Sequence, residues 1–137
     1  MSGFIITNVR LVRPGDSIEK SNLFIEGNKI VRLNMPEDQF PVNTPKLDGG
    51  GRLLTPGLVD IHVHGIHAFN FDQGPDQMLA ATEIMPAYGV TCICPTLVAN
   101  KTPDLLKRLE RIASAIPRVR KVAIPGLHLE GPFVTEA

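Results

Sequence analysis

The sequence has no excess of charge of either sign, because its 14 basic and 14 acidic residues cancel at pH 7. Without a strongly basic surface, nothing electrostatic favours a nucleic acid or an anionic membrane surface as a partner. Long hydrophobic runs are also missing, since none approaches the roughly 20 apolar residues that a membrane-spanning helix needs. The N-terminus lacks the basic stretch and apolar core of a secretory signal. We therefore expect a cytoplasmic protein that binds neither nucleic acid nor membranes.

Cysteine is scarce as well. The two residues of this type, Cys92 and Cys94, lie two positions apart in a predicted strand. That spacing is too constrained for the two thiols to bridge each other comfortably. Both are therefore expected to be small core side chains in a reducing compartment.

Residues 1–54 are rich in strand formers and turn signals. Apolar, β-prone runs occur at residues 4–12, 21–26 and 29–33, and Gly27-Asn28 predicts a tight hairpin between the last two. A Pro-rich polar passage and a glycine-rich segment follow. This pattern predicts a small antiparallel sheet. It carries no cluster of chemically active side chains, so we interpret residues 1–54 as a packing module.

From residue 55 onward, predicted strands alternate with predicted helices. Buried strands are expected at residues 58–64, 90–96 and 122–130, with helices at about 75–88 and 102–116 between them. Pro86 is expected to shorten or kink the first helix. The second helix has one apolar stripe, which comprises Leu105, Leu106, Leu109, Ile112, Ala113 and Ile116. Such alternation is typical of a parallel sheet covered by helices.

The strand-helix repeat favours a barrel over a doubly wound sheet. The predicted strands begin about 32 residues apart, which is the spacing of successive β-α units. A doubly wound sheet usually has a Gly-rich phosphate-binding turn after its first strand, whereas here the first strand ends in histidines. We therefore predict an α/β fold in which residues 55–137 form the first three strands of an incomplete (β/α)8 TIM-type barrel.

Candidate metal ligands lie at the C-terminal ends of the first and third predicted strands. Side chains alternate along a strand, so Asp60, His62 and His64 share one face, as do His128 and Glu130. In a barrel, catalytic groups lie at the C-terminal ends of the strands. Two imidazoles and one carboxylate suit zinc or another first-row divalent ion. The open alternative is a half-buried strand whose two histidines are merely hydrogen-bonded.

We predict His62, His64 and Glu130 as metal ligands. Asp60 and His128 are expected to support the ligands without binding the ion, and His67 is expected to be exposed in a loop. The cofactor is expected to be a divalent ion, with zinc first and iron, manganese and cobalt as alternatives. Such an ion lowers the pKa of water and polarises a carbonyl, as amide hydrolysis requires.

Three segments of the chain resemble known motifs. Residues 55–65, Thr-Pro-Gly-Leu-Val-Asp-Ile-His-Val-His-Gly, resemble the first-strand signature of the amidohydrolase superfamily. Gly89-Val90-Thr91 and Pro95-Thr96 resemble its second strand. Residues 128–133, His-Leu-Glu-Gly-Pro-Phe, resemble the more specific motif of the N-acetylglucosamine-6-phosphate deacetylases. The resemblance extends over essentially the whole chain.

The resemblance implies hydrolysis of the acetamide of N-acetylglucosamine 6-phosphate, a phosphorylated amino sugar, to glucosamine 6-phosphate and acetate. It also implies that Glu130 is the principal metal ligand and that His62 and His64 serve a second metal position. Residues 1–54 would be half of a small β-sandwich. The family's barrel has eight strands, and an acid-base aspartate is expected downstream of Ala137. We therefore expect an N-terminal fragment that is inactive alone, and a homo-oligomer because its sheet edges are exposed.

Two alternatives remain open. Another metal-dependent amidohydrolase, such as a cyclic-amide hydrolase, would share His62 and His64 but lack the motif around Glu130. A non-catalytic assembly module would keep the barrel pattern without the chemistry. A metal-free oligomer would favour this second alternative.

Overall fold

A computed structural model describes residues 3–13, 15, 18–99 and 102–131 of the chain. The chain divides into two compact units, Met1–Pro56 (unit 1) and Gly57–Ala137 (unit 2). The described residues of unit 1 form five strands and one short 3-10 helix. In chain order these are β1 (Gly3–Val12), β2 (Ile18–Glu26), β3 (Lys29–Leu33), the 3-10 helix Glu37–Gln39, β4 (Lys46–Asp48) and β5 (Leu53–Leu54).

The five strands of unit 1 form one sheet, in which β3, β2, β1 and β4 are successive neighbours and β5 also pairs with β1. The β2–β3 hairpin is antiparallel, as predicted from its Gly-Asn turn, and so is the β1–β2 pair. The prediction of a wholly antiparallel sheet is wrong, because β4 and β5 both pair with β1 in parallel. They lie along one edge of β1, and the turn between them is held by N–H donation from Gly49 to the Thr7 carbonyl and from Gly51 to the Asn8 carbonyl.

The core of unit 1 is small, and one of its apolar surfaces is open. Its buried hydrophobic side chains are Ile5, Val9, Leu23 and Met35. The Asn22 side chain holds the backbone of Met35 by donating to its carbonyl and accepting from its N–H, both at 2.9 Å. An apolar groove of about 580 Å³ is lined by residues that include Ile6, Leu11, Ile25 and Leu33. Unit 1 therefore has the character of a sheet with one apolar face uncovered.

Unit 2 alternates strands and helices. Its elements are β6 (Leu58–Val63), β7 (Gly65–Ile66), β8 (Phe69–Asn70), a 3-10 turn Phe71–Gln73, α1 (Pro75–Ile84), a 3-10 turn Met85–Tyr88, β9 (Val90–Val98), α2 (Thr102–Ala115), a 3-10 turn Ile116–Arg118 and β10 (His128–Glu130). Strand β9 lies between β6 and β10, and both pairings are parallel. The predicted parallel sheet of three strands is therefore present, and β7 and β8 form a separate short hairpin.

The core of unit 2 lies between the helices and β9. Its buried residues are Phe71, Met78, Ala81, Met85, Ile93, Leu97, Leu105, Ile112, Ala115 and Val122. Helix α1 gives way to a 3-10 turn just before Pro86, which confirms the expected shortening. The predicted apolar stripe of α2 was too wide, since Leu106 is 53% exposed. Each helical residue turns by about 100°, which places Leu106 beside the buried face.

Two of the predicted strands of unit 2 differ from expectation. The third was predicted over residues 122–130, but its ladder covers only His128–Glu130 after a single bridge at Ala123. Pro125 lies in the gap and has no N–H to donate to a ladder. The first strand was predicted to be buried, yet Val59 and Ile61 are 64% and 68% exposed. In the described residues β6 is an edge strand that pairs with β9 alone in this sheet, so little covers it.

Among the described residues, no helix is both long and apolar enough to cross a membrane.

Candidate metal centre

The two ligand-bearing strands of unit 2 end at the same edge of the sheet. Because β6, β9 and β10 are parallel, the C-terminal end of β6 lies near the C-terminal end of β10. His62 lies in β6 and His64 directly follows it, while Glu130 is the last residue of β10. The sheet topology therefore brings together residues that are 66 or more positions apart in the sequence.

The side chains of His62, His64 and Glu130 converge on one point. The Nε2 atom of His62 lies 2.5 Å from Oε1 of Glu130, and Nε2 of His64 lies 3.4 Å from the same oxygen. One potential ligand atom from each residue lies within 4.8 Å of the other two. Two imidazole nitrogens and a carboxylate oxygen at this separation fit a divalent first-row metal ion. The donor set predicted from the sequence is thus assembled in space.

The electrostatics of this group favour the ionised carboxylate. The pKa of Glu130 is lowered, mainly by a hydrogen bond from His62. Desolvation is the next largest effect and acts in the opposite direction, and smaller electrostatic effects of His64 and His62 lower the pKa further. All three side chains are also partly open to solvent, at 50% exposure for His62, 38% for His64 and 37% for Glu130. The group is therefore ready to take up a cation from solution.

A glycine with positive φ follows the histidine pair, and another follows Glu130. Gly65, after His64, has φ 148°, and Gly131, after Glu130, has φ 111°. A Cβ atom at Gly65 would collide with the carbonyl oxygen of Phe69. Glycine at position 65 therefore lets the chain turn from the end of β6 directly into the β7–β8 hairpin.

Asp60 and His128, predicted to support the ligands, lie beside the group of three and not in it. Asp60 Oδ1 accepts the backbone N–H of His62 at 3.1 Å. His128 Nδ1 lies 3.2 Å from the hydroxyl of Thr96, and the His128 ring centroid lies 4.4 Å from that of His62. Both residues therefore touch His62 without reaching the point where the ligand atoms meet.

His67 lies elsewhere. It is exposed at the turn of the β7–β8 hairpin, with φ 53°, and its Nε2 lies 3.0 Å from the hydroxyl of Tyr88. It is absent from the described group of potential ligands. The Tyr88 contact was not foreseen, since nothing in the sequence links a hairpin turn to the end of a following helix.

Sequence reasoning missed two residues that organise this edge. Thr96 is fully buried and binds the backbone between the paired histidines, as Val63 N–H donates to its hydroxyl at 3.0 Å. Asp72 pairs with Arg108 of α2 at 2.8 Å and accepts weakly from Val98 N–H at the end of β9. Two signals pointed to Thr96: its position at the end of the second predicted strand, level with the histidines, and the resemblance of Pro95-Thr96 to the second strand of the amidohydrolases.

Several curated proteins that resemble the chain in sequence share one name. No family model matches the chain. The human N-acetylglucosamine-6-phosphate deacetylase is 32% identical over 138 residues, which cover 94% of this chain and 32% of the human protein. The protein of that name from Lysinibacillus sphaericus is 26% identical over 96% of this chain and 34% of its own length. The chain thus spans about one third of the length of the curated relatives it matches.

Solved structures of proteins with the same name also match the chain. The chain matches an N-acetyl-D-glucosamine-6-phosphate deacetylase variant from Mycobacterium smegmatis, solved with N-acetyl-D-glucosamine-6-phosphate, with a TM-score of 0.80 and 26% identity over 98% of the chain and 34% of that structure. The enzyme of this name from Thermotoga maritima gives a TM-score of 0.75 and 26% identity over 97% of the chain and 33% of that structure. These matches confirm the predicted fold class.

Matches at lower identity include a dihydroorotase and a D-hydantoinase. A dihydroorotase from Listeria monocytogenes is 25% identical over 88% of this chain and 28% of its own length. A D-hydantoinase structure matches with a TM-score of 0.64 at 22% identity, over 93% of the chain and 27% of that structure, which shows a shared fold alone.

Proposed function

Because the chain belongs to the N-acetylglucosamine-6-phosphate deacetylase family, we propose that it supplies a histidine-histidine-glutamate part of the metal centre of such a deacetylase. The observation that carries the proposal is the convergence of His62, His64 and Glu130 at one edge of the parallel sheet. The reaction is hydrolysis of the acetamide of N-acetylglucosamine 6-phosphate to glucosamine 6-phosphate and acetate. The similarity to N-acetylglucosamine-6-phosphate deacetylases from human and Lysinibacillus sphaericus supports this substrate.

The residues of this chain hold the ion and keep its ligands in place. Glu130 is ionised at neutral pH, and the hydrogen bond from His62 lowers its pKa further below its usual value of 4.5. The Nε2 atoms of His62 and His64 both face Oε1 of Glu130, so this oxygen is suited to bind the same ion as either imidazole. The chemistry that a bound divalent ion supplies is polarisation of the amide carbonyl and activation of water. Zinc fits this donor set first, with iron, manganese and cobalt as alternatives.

The remaining catalytic groups belong to sequence that this chain does not contain. The curated relatives are about three times as long as the stretch they share with it. We place the acid-base aspartate and the phosphate-binding residues in the corresponding remainder, so the 137 residues alone are expected to bind metal without turning over substrate. A cytoplasmic location and a homo-oligomer are part of the same proposal, supported by the free Cys92 and Cys94 and by the exposed edge strand β6.

Two measurements test the proposal. Isothermal titration of the metal-free 137-residue chain with zinc is expected to show saturable binding, and addition of N-acetylglucosamine 6-phosphate to the zinc-loaded chain is expected to release no acetate. Where these residues are part of a longer protein, that protein is expected to release acetate from the same substrate. A folded chain that binds no zinc, or a longer protein that leaves the acetamide intact, would contradict the proposal.

A cyclic-amide hydrolase is the second candidate. The sequence match to a dihydroorotase, 25% identical over 88% of the chain, supports it. The two candidate functions are distinguished by measuring which of their substrates is hydrolysed. Hydrolysis of dihydroorotate or hydantoin in place of N-acetylglucosamine 6-phosphate would replace the deacetylase assignment. A metal-free oligomer without hydrolase activity would favour a non-catalytic assembly role.

A further inference from the structure

The hydroxyl of Thr96 lies between the two strands that carry the ligands. Thr96 belongs to β9, the central strand of the sheet, and is 0% exposed. Its Oγ1 accepts the N–H of Val63 at 3.0 Å and lies 3.2 Å from Nδ1 of His128. A third contact, to the carbonyl of Cys94, is longer at 3.4 Å. One buried oxygen thus connects β6, β9 and β10 at the level of the metal ligands.

The backbone of β6 is irregular where this hydroxyl binds it. The register of β6 against β9 shifts between Asp60 and Val63, and the residue paired with Val63 is Pro95. Within the irregular stretch, His62 N–H donates to the side chain of Asp60, and Val63 N–H donates to Thr96. Two successive amides therefore bind side-chain oxygens. The orientation of His62 depends on those side chains and not on a regular ladder.

The same hydroxyl also restrains His128. Thr96 and His128 are paired residues in the parallel ladder of β9 and β10, and Glu130 follows two positions later on the same strand. A threonine hydroxyl has one proton and two lone pairs. It can accept from Val63 and still either donate to His128 Nδ1 or accept from it. The ring of His128 is then held 4.4 Å from the ring of His62, centroid to centroid.

We propose that Thr96 is a positioning residue for the metal centre. Its hydroxyl contacts both the Val63 N–H and Nδ1 of His128. These two contacts orient the His62 side chain so that its Nε2 faces Glu130. The role is distinct from that of a ligand, because the Thr96 hydroxyl is engaged by the N–H of Val63 and by Nδ1 of His128. This inference rests on the proposed metal centre, and it adds a hydroxyl-bearing residue on a strand that contributes no ligand.

Zinc titrations of the 137-residue chain and three variants test the inference. Thr96→Val keeps the shape of the side chain and removes the hydroxyl, and Thr96→Ser keeps the hydroxyl. Thr82→Val is the matched control, because Thr82 is also buried but donates to the Leu79 carbonyl within α1. Partners that orient ligands typically contribute 10–100-fold to metal affinity. We expect Thr96→Val to weaken zinc binding by about 10–100-fold, with Thr96→Ser and Thr82→Val close to the unchanged chain.

The possible results separate this inference from the proposed function. Zinc affinity of Thr96→Val within about twofold of the unchanged chain, or an equal loss in Thr96→Ser, would overturn the role of Thr96 and leave the metal centre in place. Failure of the folded, unchanged chain to bind zinc would overturn both. Amide hydrogen exchange of the unchanged chain covers the case in which Thr96→Val does not fold. A protected Val63 amide is expected, and exchange at the rate of an unstructured peptide would refute the hydrogen bond on which the role depends.

Discussion

Among the described residues, each unit has one carboxylate whose pKa is lowered from its usual value, and the two carboxylates differ in their surroundings. In unit 1, the backbone N–H of Gly50 and the side-chain amide of Asn8 donate to Asp48 and lower its pKa. In unit 2, His62 is the main group that lowers the pKa of Glu130. Amide donors can only hold a carboxylate in place, whereas neutral imidazoles can share a metal ion with it. A lowered pKa alone therefore does not distinguish a turn from a metal site.

Topology explains why the two carboxylates have such different neighbours. Asp48 accepts from Gly50, two positions away, so its contact belongs to a local turn. Glu130 meets His62 across 68 positions, because β6 and β10 run parallel on either side of β9. Parallel strands bring residues from distant segments to one edge, where they can form a site. The following substitutions test this contrast between the two units.

The largest loss is expected on shortening Phe71 in unit 2. Phe71 is 0% exposed in the core, and its N–H donates to the carbonyl of His64 at 2.9 Å. Phe71→Ala should lower the free energy of unfolding by about 3–5 kcal/mol, since it leaves a cavity. Chemical denaturation of the chain measures this. Phe4→Ala in unit 1 is the control, because Phe4 is 37% exposed and should lose far less. Equal losses would contradict the placement of the core.

Glu130→Gln should have the next largest effect, on metal binding. The substitution keeps the size of the side chain but removes the charge that two imidazoles face. Because outer partners already contribute 10–100-fold, loss of a ligand should weaken zinc binding by more than about 100-fold. Asp48→Asn, the matched change in unit 1, should leave zinc affinity unchanged. Titration calorimetry compares the two variants, and a similar response from both would remove the contrast between the carboxylates.

A pair of glycine substitutions tests backbone strain in the two units. Gly65 and Gly27 both have positive φ, at 148° and 59°. A Cβ atom at Gly65 would collide with the Phe69 carbonyl, whereas at Gly27 there is open space. Gly65→Ala should therefore cost about 2–3 kcal/mol of unfolding free energy, and Gly27→Ala about 1 kcal/mol. If chemical denaturation shows a larger loss of unfolding free energy for Gly27→Ala than for Gly65→Ala, the description of a tight turn after His64 is contradicted.

The smallest expected effect is the pH dependence of Asp48. Its pKa is held below its usual value of 3.8 in the folded state, so the ionised form is favoured by folding. The resulting stabilisation is present above pH 3.8 and is lost as the pH falls through the lower folded pKa. The stability difference between the unchanged chain and Asp48→Asn should therefore shrink in acid. Asn8→Gly, which removes one donor at a positive φ that glycine tolerates, should reproduce part of the change.

Local sequence patterns were sufficient for most of the elements and for the identity of the candidate ligands. Period-two alternation put His62 and His64 on one strand face, and Pro86 correctly indicated the early end of α1. Patterns failed where the outcome depended on distant partners. The width of the apolar stripe on α2 depends on what packs against it, and the parallel placement of β4 and β5 depends on which edge of β1 is free.

The sequence by itself determined which residues have the chemistry of a metal site. It also determined that these residues lie at the C-terminal ends of predicted parallel strands. Side-chain type and alternation are properties of neighbouring residues, so they can be read locally. Only the tertiary structure decided that Nε2 of His62 lies 2.5 Å from Glu130, that the hydroxyl of Thr96 binds Val63, and that β6 is exposed. These depend on the register between strands far apart in the chain. A shift of one residue would move every side chain of β6 to the opposite face.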